Sequence, residues 1–325
     1  MTSDALVILG CGWVARRHAA AARRLGLPVI FGSRDRSQAR AYARRFRGVA
    51  AYGSYTEALA DPRAAGVVIC TPHGCHLADA LTAFSAGRHV LVEKPIARTL
   101  EEADRMIAAA AAAGRVLMVA EQFHFMPAFR RVKRLLDEGQ LGPLREIHLV
   151  ARGFGRRHGW RLDAEAAGGG ALIDGGIHYV HNLRWWGRDV RRLFALRPPQ
   201  TVTALAGEDS VSLLAELAGG AVGFLSNSLG APGLGKFQWS TVTGAHATCF
   251  VDNRGRAVLL RGPGRVRPWF FRRDVRGYVA MLSVFRNAME GRPPEMDGVA
   301  GRADLSLVLA AYRSIAERRP IEVSC

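Results

Sequence analysis

The chain has 325 residues, 49% of them apolar, and a formal net charge of +17. The length suits two domains, the composition excludes a disordered chain, and no apolar run approaches the roughly 18 residues a membrane helix needs. The charge is almost all arginine, with lysine only at Lys94, Lys133 and Lys236. Its pairs run from Arg16-Arg17 to Arg318-Arg319 without gathering on a recognisable module, which argues against a nucleic-acid partner.

Five cysteines (Cys11, Cys70, Cys75, Cys249 and Cys325) show no Cys-x-x-Cys spacing, so neither a disulfide framework nor a structural zinc site is expected. "HGCH", His73 to His76, is the one metal-like cluster. Its three ligand-type side chains cannot all face one ion from a helix, and no metal is expected. The glycines of "ALVILGCGWVA" and its lack of a basic leader argue against a signal peptide, so a cytoplasmic location is expected.

In chain order, "ALVILG" reads as a buried strand and "WVARRHAAAARRLG" as a helix ended by Gly26. "PVIFGS" is a second strand, and "RSQARAYARRF" a helix with Asp35 at its N-cap. "GVVICTP", "HVLVEKP" and "RVLMVAE" are further strands. The helices "HLADALTAFSAG" and "TLEEADRMIAAAAAAG" lie between them, the second opened by a Thr99–Glu102 capping box. Apolar strands alternating with helices mean a parallel sheet covered on both faces. The pattern changes after a helix at "PAFRRVKRLLDEGQLG". "REIHLVARGFG", "SVSLLAELAGGAVGFLSNSL", "FQWSTVTGAHATCFVDN" and "AVLLRG" alternate and turn like antiparallel strands. One helix, Ile173 to Trp186, interrupts them, and two more close the chain, near Tyr278 to Glu290 and Gly301 to Arg318. The expected organisation is an α/β domain over 1–122 and an α+β domain over 123–325.

"GCGWVA" has Gly10, Cys11, Gly12, Trp13, Val14 and Ala15 between a strand and a helix, the setting in which Gly-x-Gly-x-x-Ala binds a dinucleotide. Gly10 makes the turn, Gly12 lets the pyrophosphate approach, and the helix N-terminus supplies N–H groups. About twenty residues on, an NAD site places an acid for the ribose 2′-hydroxyl. "VIFGSRDR" shows Ser33 and Arg34 there. A hydroxyl donor and a planar guanidinium suit a 2′-phosphate, so NADP is expected. In the competing reading Asp35 serves the ribose and Arg34 is a solvated surface residue.

"VLVEKPIA" brings Lys94 to the carboxyl end of a buried strand, where ligands bind in such sheets. A lysine retained in an arginine-dominated chain suggests a need for a compact ammonium. "GGGALIDGGIHYVHN" places Asp174 and His178 four apart, on one helix face. His178 can move a proton near neutral pH, and Gly168 to Gly170 suggest close approach of backbone to a ligand. The structural alternatives are a helix N-cap for Asp174 and a core histidine for His178.

These stretches resemble the glucose–fructose oxidoreductase, inositol dehydrogenase and rhizopine-catabolism (Gfo/Idh/MocA) dehydrogenases over nearly the whole chain. "GCGWVARRH" looks like the family's nucleotide fingerprint. "CTPHGCHLADALTAFSAGRHVLVEKPIA" is similar to its Thr-Pro-Asn-x-x-His and Glu-Lys-Pro region, and "GGGALIDGGIH" to its Asp-x-Gly-x-His motif. The resemblance implies a Rossmann domain followed by an α+β domain with an open, mainly antiparallel sheet that commonly forms a dimer or tetramer interface. It implies Lys94, Asp174 and His178 as the catalytic set. It adds Thr71, Pro72, His73, His76, Glu93, Lys94, Pro95 and Gln122 to the cofactor-binding residues. Two positions depart from the pattern: His73 replaces the usual Asn, and His181 stands where an Asp often follows.

The expected chemistry is hydride transfer between nicotinamide and a carbinol or ketone carbon of a sugar, inositol or related polyol. His178 serves as base or acid and Lys94 stabilises the oxyanion. His124, Trp160, Arg161, Asp174, His178 and His181 are placed to meet substrate. The other arginines of "RGFGRRHGWR", Arg152, Arg156 and Arg157, suit a carboxylate, phosphate or nucleotide-sugar, or else form a basic surface loop. Two other functions fit the same motifs: a redox-neutral, nicotinamide-dependent glycosidase or lyase, and a cofactor-sensing binding protein without turnover.

Overall fold

The computed structural model describes residues 4–155, 157–202, 204–231 and 238–323. Arg156, Lys236 and Cys325, all singled out above, lie outside the described residues. The chain forms two compact units, Met1–Glu121 with Tyr278–Arg302, and Gln122–Gly277 with Ala303–Cys325. The first crossing falls beside the expected boundary at 122/123, but Tyr278–Arg302 then returns to the first unit.

The first unit carries six strands: β1 Ala5–Leu9, β2 Val29–Gly32, β3 Ala50–Tyr52, β4 Ala64–Ile69, β5 His89–Glu93 and β6 Leu117–Ala120. They are parallel, in the order β3-β2-β1-β4-β5-β6. This is the doubly wound order whose reversal beside β1 opens a ligand crevice at the strands' carboxyl ends. β1 is buried at all five residues, as a central strand covered on both faces must be. The connecting helices are α1 Ala15–Arg24, α2 Arg36–Phe46, α3 Tyr55–Leu59, α4 His76–Ser85 and α5 Leu100–Ala112. β3 and α3 are too short to carry a readable period, and the sequence analysis assigns neither. Thr99 Oγ1 accepts from Glu102 N at 3.2 Å, while the Glu102 carboxylate accepts from Arg98 N at 3.0 Å. The edge of β6 is closed by the returning segment: Val119 N donates to Met296 O at 2.7 Å, and Met118 pairs with Asp297.

The second unit begins with α6 Gln122–Phe125 and α7 Pro127–Asp137. Its sheet has nine strands: β7 Leu144–Arg152, β8 Val190–Leu196, β9 Ser210–Leu217, β10 Val222–Ser228, β11 Trp239–Gly244, β12 Thr248–Asp252, β13 Ala257–Gly262, β14 Arg265–Phe270 and β15 Ile321–Glu322. The order is β14-β13-β12-β11-β7-β10-β9-β8-β15. All neighbours are antiparallel except β7 with β10, so the sheet is mixed and open. β8, β14 and β15 are absent from the sequence analysis. Helices α8 Ala164–Ala167 and α9 Ile177–Gly187 follow β7. α10 Tyr278–Met289 belongs to the first unit, and α11 Gly298–Glu317 ends in the second. Among the described residues no helix is long and apolar enough to cross a membrane.

Candidate active site

In the first unit, Gly10 takes φ +88°, and a Cβ there would stand 2.9 Å from the Cys70 carbonyl oxygen. The turn out of β1 therefore needs glycine. Gly12 is different: no heavy atom lies within 4 Å of where its Cβ would be. The open space lies at the start of α1, whose N-cap position, Val14, makes no side-chain cap. A backbone stripped of its side chain beside an uncapped helix N-terminus fits the phosphates of a dinucleotide. The loop is fixed from behind by Tyr42, whose hydroxyl donates to Gly12 O at 2.9 Å and accepts from Arg16 Nε at 3.0 Å. Trp13 is 66% exposed, with the Arg17 guanidinium 5.2 Å from its ring centroid.

At the end of β2, Asp35 caps α2. Its Oδ1 accepts from Ser37 N at 2.8 Å and Gln38 N at 3.4 Å. The Ser37 hydroxyl and amide together hold this carboxyl below the usual range. Ser33 is buried, and its Oγ accepts from Asp35 N at 3.2 Å. It also hydrogen-bonds Cys11, whose thiol burial pushes up to about 11 against that bond. Arg34 is exposed. Its charge reaches Asp79, whose carboxyl burial raises against the pull of Thr71 and Arg34. Thr71 Oγ1 donates to Asp79 Oδ2 at 2.6 Å. Thr71 and Asp79 thus form a hydrogen-bonded pair past β4, within electrostatic reach of Arg34.

Two of the expected cofactor-binding residues hold neighbouring parts of the first unit together. His76 is fully buried, with Nδ1 2.9 Å from Pro95 O and Nε2 3.1 Å from Thr71 O. Burial lowers its pKa despite those carbonyls, so its single N–H serves one of the two. The ring ties the Thr71–Pro72 turn to the Lys94–Pro95 segment, where the peptide bond is cis. Glu93 accepts from His18 Nε2 at 2.8 Å and, more weakly, from Lys94 N at 3.3 Å. His18, on α1, has no exposed surface, and its ring meets Tyr278 edge-on at 5.2 Å. Neither His18 nor Tyr42 belongs to a motif legible in the sequence. The signal for His18 was a histidine on the alanine face of α1, between Ala15 and Ala22. Lys94 is half-buried at the end of β5, and His73 is buried.

In the second unit, Asp174 sits in a π-helical turn, Leu172–Gly176, that runs into α9. It is not a helix N-cap: its amide donates to Gly170 O at 3.2 Å. Such turns recur at functional sites because the extra residue re-aims side chains. Asp174 is buried. Arg161 Nε lies 3.2 and 3.1 Å from its two oxygens, and Arg157 Nε 3.2 Å from Oδ2. Arg161 also covers the Trp160 ring at 4.3 Å. His178, half-buried, stacks on Phe123 at 4.5 Å with a 12° tilt, beside Gln122 in α6.

The glycine run closes on the protein itself. A Cβ on Gly169 would stand 2.6 Å from the Tyr312 hydroxyl, and one on Gly170 would overlap the backbone of Glu208. Tyr312 Oη accepts from Gly170 N at 3.3 Å and Ile173 N at 3.2 Å, and donates to Glu208 Oε1 at 3.1 Å. Leu172 N donates to the same Oε1 at 2.8 Å. Burial raises the Glu208 carboxyl against these bonds. Glu208 and Tyr312 therefore shape the turn that carries Asp174, and neither is singled out in the sequence analysis.

His181 and His124, both expected to meet substrate, lie in a buried chain of contacts. His181 Nδ1 donates to Asp304 Oδ2 at 2.8 Å, and its Nε2 lies 3.2 Å from His124 Nδ1. Asp304 also accepts from Arg184 Nε at 2.8 Å. Burial opposes its ionisation, but His181 and Arg184 outweigh burial and hold its carboxyl low. A carboxylate can only accept. His181 thus donates from Nδ1 to the carboxylate, and its Nε2 faces His124. Trp185 packs against both rings, 4.3 Å from His124 and 5.5 Å from His181. Asp304 is the acid that holds His181. Its sequence signal was an acid in line with Val308 and Ala311 on the apolar face of α11. Among the described residues no group of His, Cys, Asp and Glu is placed to hold a metal ion.

Comparison with known proteins returns two models of one family. The "Oxidoreductase family, NAD-binding Rossmann fold" matches residues 5–121, and the "GFO/IDH/MocA C-terminal domain" matches residues 129–249. The chain is 32% identical to trans-1,2-dihydrobenzene-1,2-diol dehydrogenase of Mus musculus over 210 residues, 62% of this chain and 60% of that protein. It is 25% identical to myo-inositol 2-dehydrogenase of Thermotoga maritima, over 97% of both. The structure of levoglucosan dehydrogenase in complex with NADH superposes with a TM-score of 0.90 at 20% identity, over 99% of both chains. At that identity the likeness shows the fold.

Proposed function

The chain belongs to the Gfo/Idh/MocA oxidoreductase family, and from that premise we propose that it oxidises or reduces a carbinol or ketone carbon of a sugar, inositol or related polyol. The observation that carries the reading is the Gly12 cradle: an open space at an uncapped helix N-terminus. When bound, a nicotinamide dinucleotide supplies the hydride acceptor or donor. In the oxidising direction His178 takes the hydroxyl proton, and in the reducing direction it returns one. The Lys94 ammonium stabilises negative charge on the reacting oxygen. Asp174, held by Arg157 and Arg161, orients the substrate. His178→Ala is expected to cut turnover by roughly 10²- to 10⁴-fold while nicotinamide fluorescence still reports dinucleotide binding. Wild-type turnover in that variant would remove His178 from the reaction.

The same reading extends to the cofactor and the assembly. Asp35 is committed to capping α2, and Arg34 stands exposed beside it; both favour a dinucleotide with a 2′-phosphate, NADP over NAD. The outward face of the nine-stranded sheet carries a row, Phe250, Thr241, His148, Phe224, Leu214 and Phe194, aligned strand to strand. Leu214 is 52% exposed. A mainly apolar row of this kind, with Thr241 and His148 at its middle, suits self-association to a dimer or tetramer. Sedimentation velocity should show that species, and Leu214→Arg should shift it toward monomer.

A further inference from the structure

The arginine pairs are spread along the sequence, but in the first unit the fold gathers many of them. Residues 5–56 run from β1 through α1 and α2 to the start of α3. They hold ten arginines, no lysine and a single acid, Asp35. The rest of the unit, 57–121 with 278–302, holds nine basic and eleven acidic residues. A uniform preference for arginine would load both halves alike. All ten arginines are exposed, and among the described residues none of them is ion-paired. In the other half, Arg63 pairs with Asp61, Arg98 with Glu102 and Arg302 with Asp104. Asp35 is committed to the cap of α2. Setting Asp4, Glu57 and Asp79 against the ten as well still leaves a surplus of six positive charges.

These charges border the Gly12 cradle. Arg16 and Arg17 stand in the first turn of α1. Arg16 reaches Tyr42, whose hydroxyl holds Gly12 O, and Arg17 lies over Trp13. Arg34 and Arg36 flank the N-cap of α2. Behind them Arg40 and Arg44 follow Arg36 at four-residue spacing, on one side of α2, about 6 and about 12 Å further along. Like charges at that spacing weaken a helix, and Arg36 also opposes the dipole at the helix N-terminus. The stability of α2 therefore does not account for this stripe.

We infer that the arginine face of α1 and α2 collects the anionic dinucleotide: its field draws the ligand to the cradle and raises the association rate, and Arg40 and Arg44 do so without touching the bound molecule. The inference rests on the proposed reading of the cradle as a dinucleotide site. A surface of one sign concentrates ligands of the other and raises their on-rates by about 10- to 10³-fold. The attraction grows with ligand charge, so it is greatest for a dinucleotide that carries the extra 2′-phosphate.

The test is stopped-flow binding of NADPH and of NADH to the full chain, read by nicotinamide fluorescence. Salt is varied from about 0.01 to about 1 M, over which the screening length shrinks from about 30 to about 3 Å. The association rate of NADPH should fall by roughly tenfold or more across that range. It should fall more steeply than that of NADH, which lacks about 1.5 to 2 negative charges. At about 0.1 M salt, Arg40→Glu combined with Arg44→Glu should slow association by roughly threefold or more and leave dissociation unmoved. The control is Arg105→Glu combined with Arg292→Glu, the same change in net charge on exposed positions of the acidic half, which should stay near the unaltered chain. An association rate that ignores salt overturns the inference. So do equal losses in the two double variants, which would assign the effect to net charge alone. Faster dissociation with unchanged association also overturns it, because Arg40 and Arg44 would then be ligand contacts. Should a double variant fail to melt cooperatively, the salt series on the unaltered chain decides. If dinucleotide binds at a rate that ignores salt, the cradle reading stands and this inference falls; if neither dinucleotide binds, both fall.

Discussion

Gly12 in the first unit and Gly169–Gly170 in the second both lie in short glycine-rich stretches leading into a helical segment, and the space around them is opposite. Around Gly12 there is nothing within 4 Å of a Cβ, and the emptiness lies at a helix end where anions bind. Around Gly169 and Gly170 the space is filled by Tyr312 and the Glu208 backbone. Gly12 leaves open space; Gly169 and Gly170 let two parts of one unit close on each other. A glycine run is thus evidence of close approach, and the structure is needed to say what approaches.

The contrast is broken first at Gly170. Gly170→Ala forces a methyl into the Glu208 backbone, which has no flexible end to yield, and should cost about 3 kcal/mol or more. Chemical denaturation would measure it, and a near-neutral result would mean the π turn relaxes freely. Gly12→Ala should do the reverse. Stability without ligand should hold or rise by up to ~1 kcal/mol, because the backbone there is ordinary and the methyl meets nothing. Dinucleotide affinity should fall roughly tenfold or more, about 1.4 kcal/mol, in a fluorescence titration. Loss of stability in place of affinity would make Gly12 a packing glycine like Gly170.

The same contrast explains what was readable in advance. The dinucleotide loop is local: β1, Gly10, Gly12 and the first turn of α1 lie within some fifteen residues, and Asp35 caps the helix that it precedes. Strand, turn and cap each leave a signature in consecutive residues. The second unit's site is assembled from afar. His181 and Asp304 are 123 residues apart, and Ile173 and Tyr312 are 139 apart, so no local pattern links them. Asp174 and His178 were found because they are four apart, which reads as one face of an α-helix. The π turn holding Asp174 adds a residue that periodicity does not encode, and its partners Arg157 and Arg161 come from the preceding loop. His181 was legible as unusual but not as buried, because its acid lies on the last helix.

The smallest effect separates two neighbours at the adenosine end. Asp35 and Arg34 compete for the same role in sequence, and the structure gives them different company: Asp35 holds the amides of Ser37 and Gln38, and Arg34 lies exposed. Asp35→Ala should lower Tm at neutral pH by on the order of one to three degrees and leave the ratio of NADPH to NADH affinity unmoved. The pH dependence has a definite sign. The Asp35 carboxyl is held low in the folded chain, chiefly by the Ser37 hydroxyl and amide. Its contribution is therefore present above the ordinary carboxylate range, near 4, and is lost as pH falls through the lower folded value. The Tm gap between wild type and Asp35→Ala should accordingly close in acid. Arg34→Ala should leave Tm alone and pull the NADPH-to-NADH ratio toward one, because a planar guanidinium is what a 2′-phosphate gains over a hydroxyl. If Asp35→Ala shifts the ratio and Arg34→Ala does not, the acid serves the ribose after all, and the cofactor is NAD.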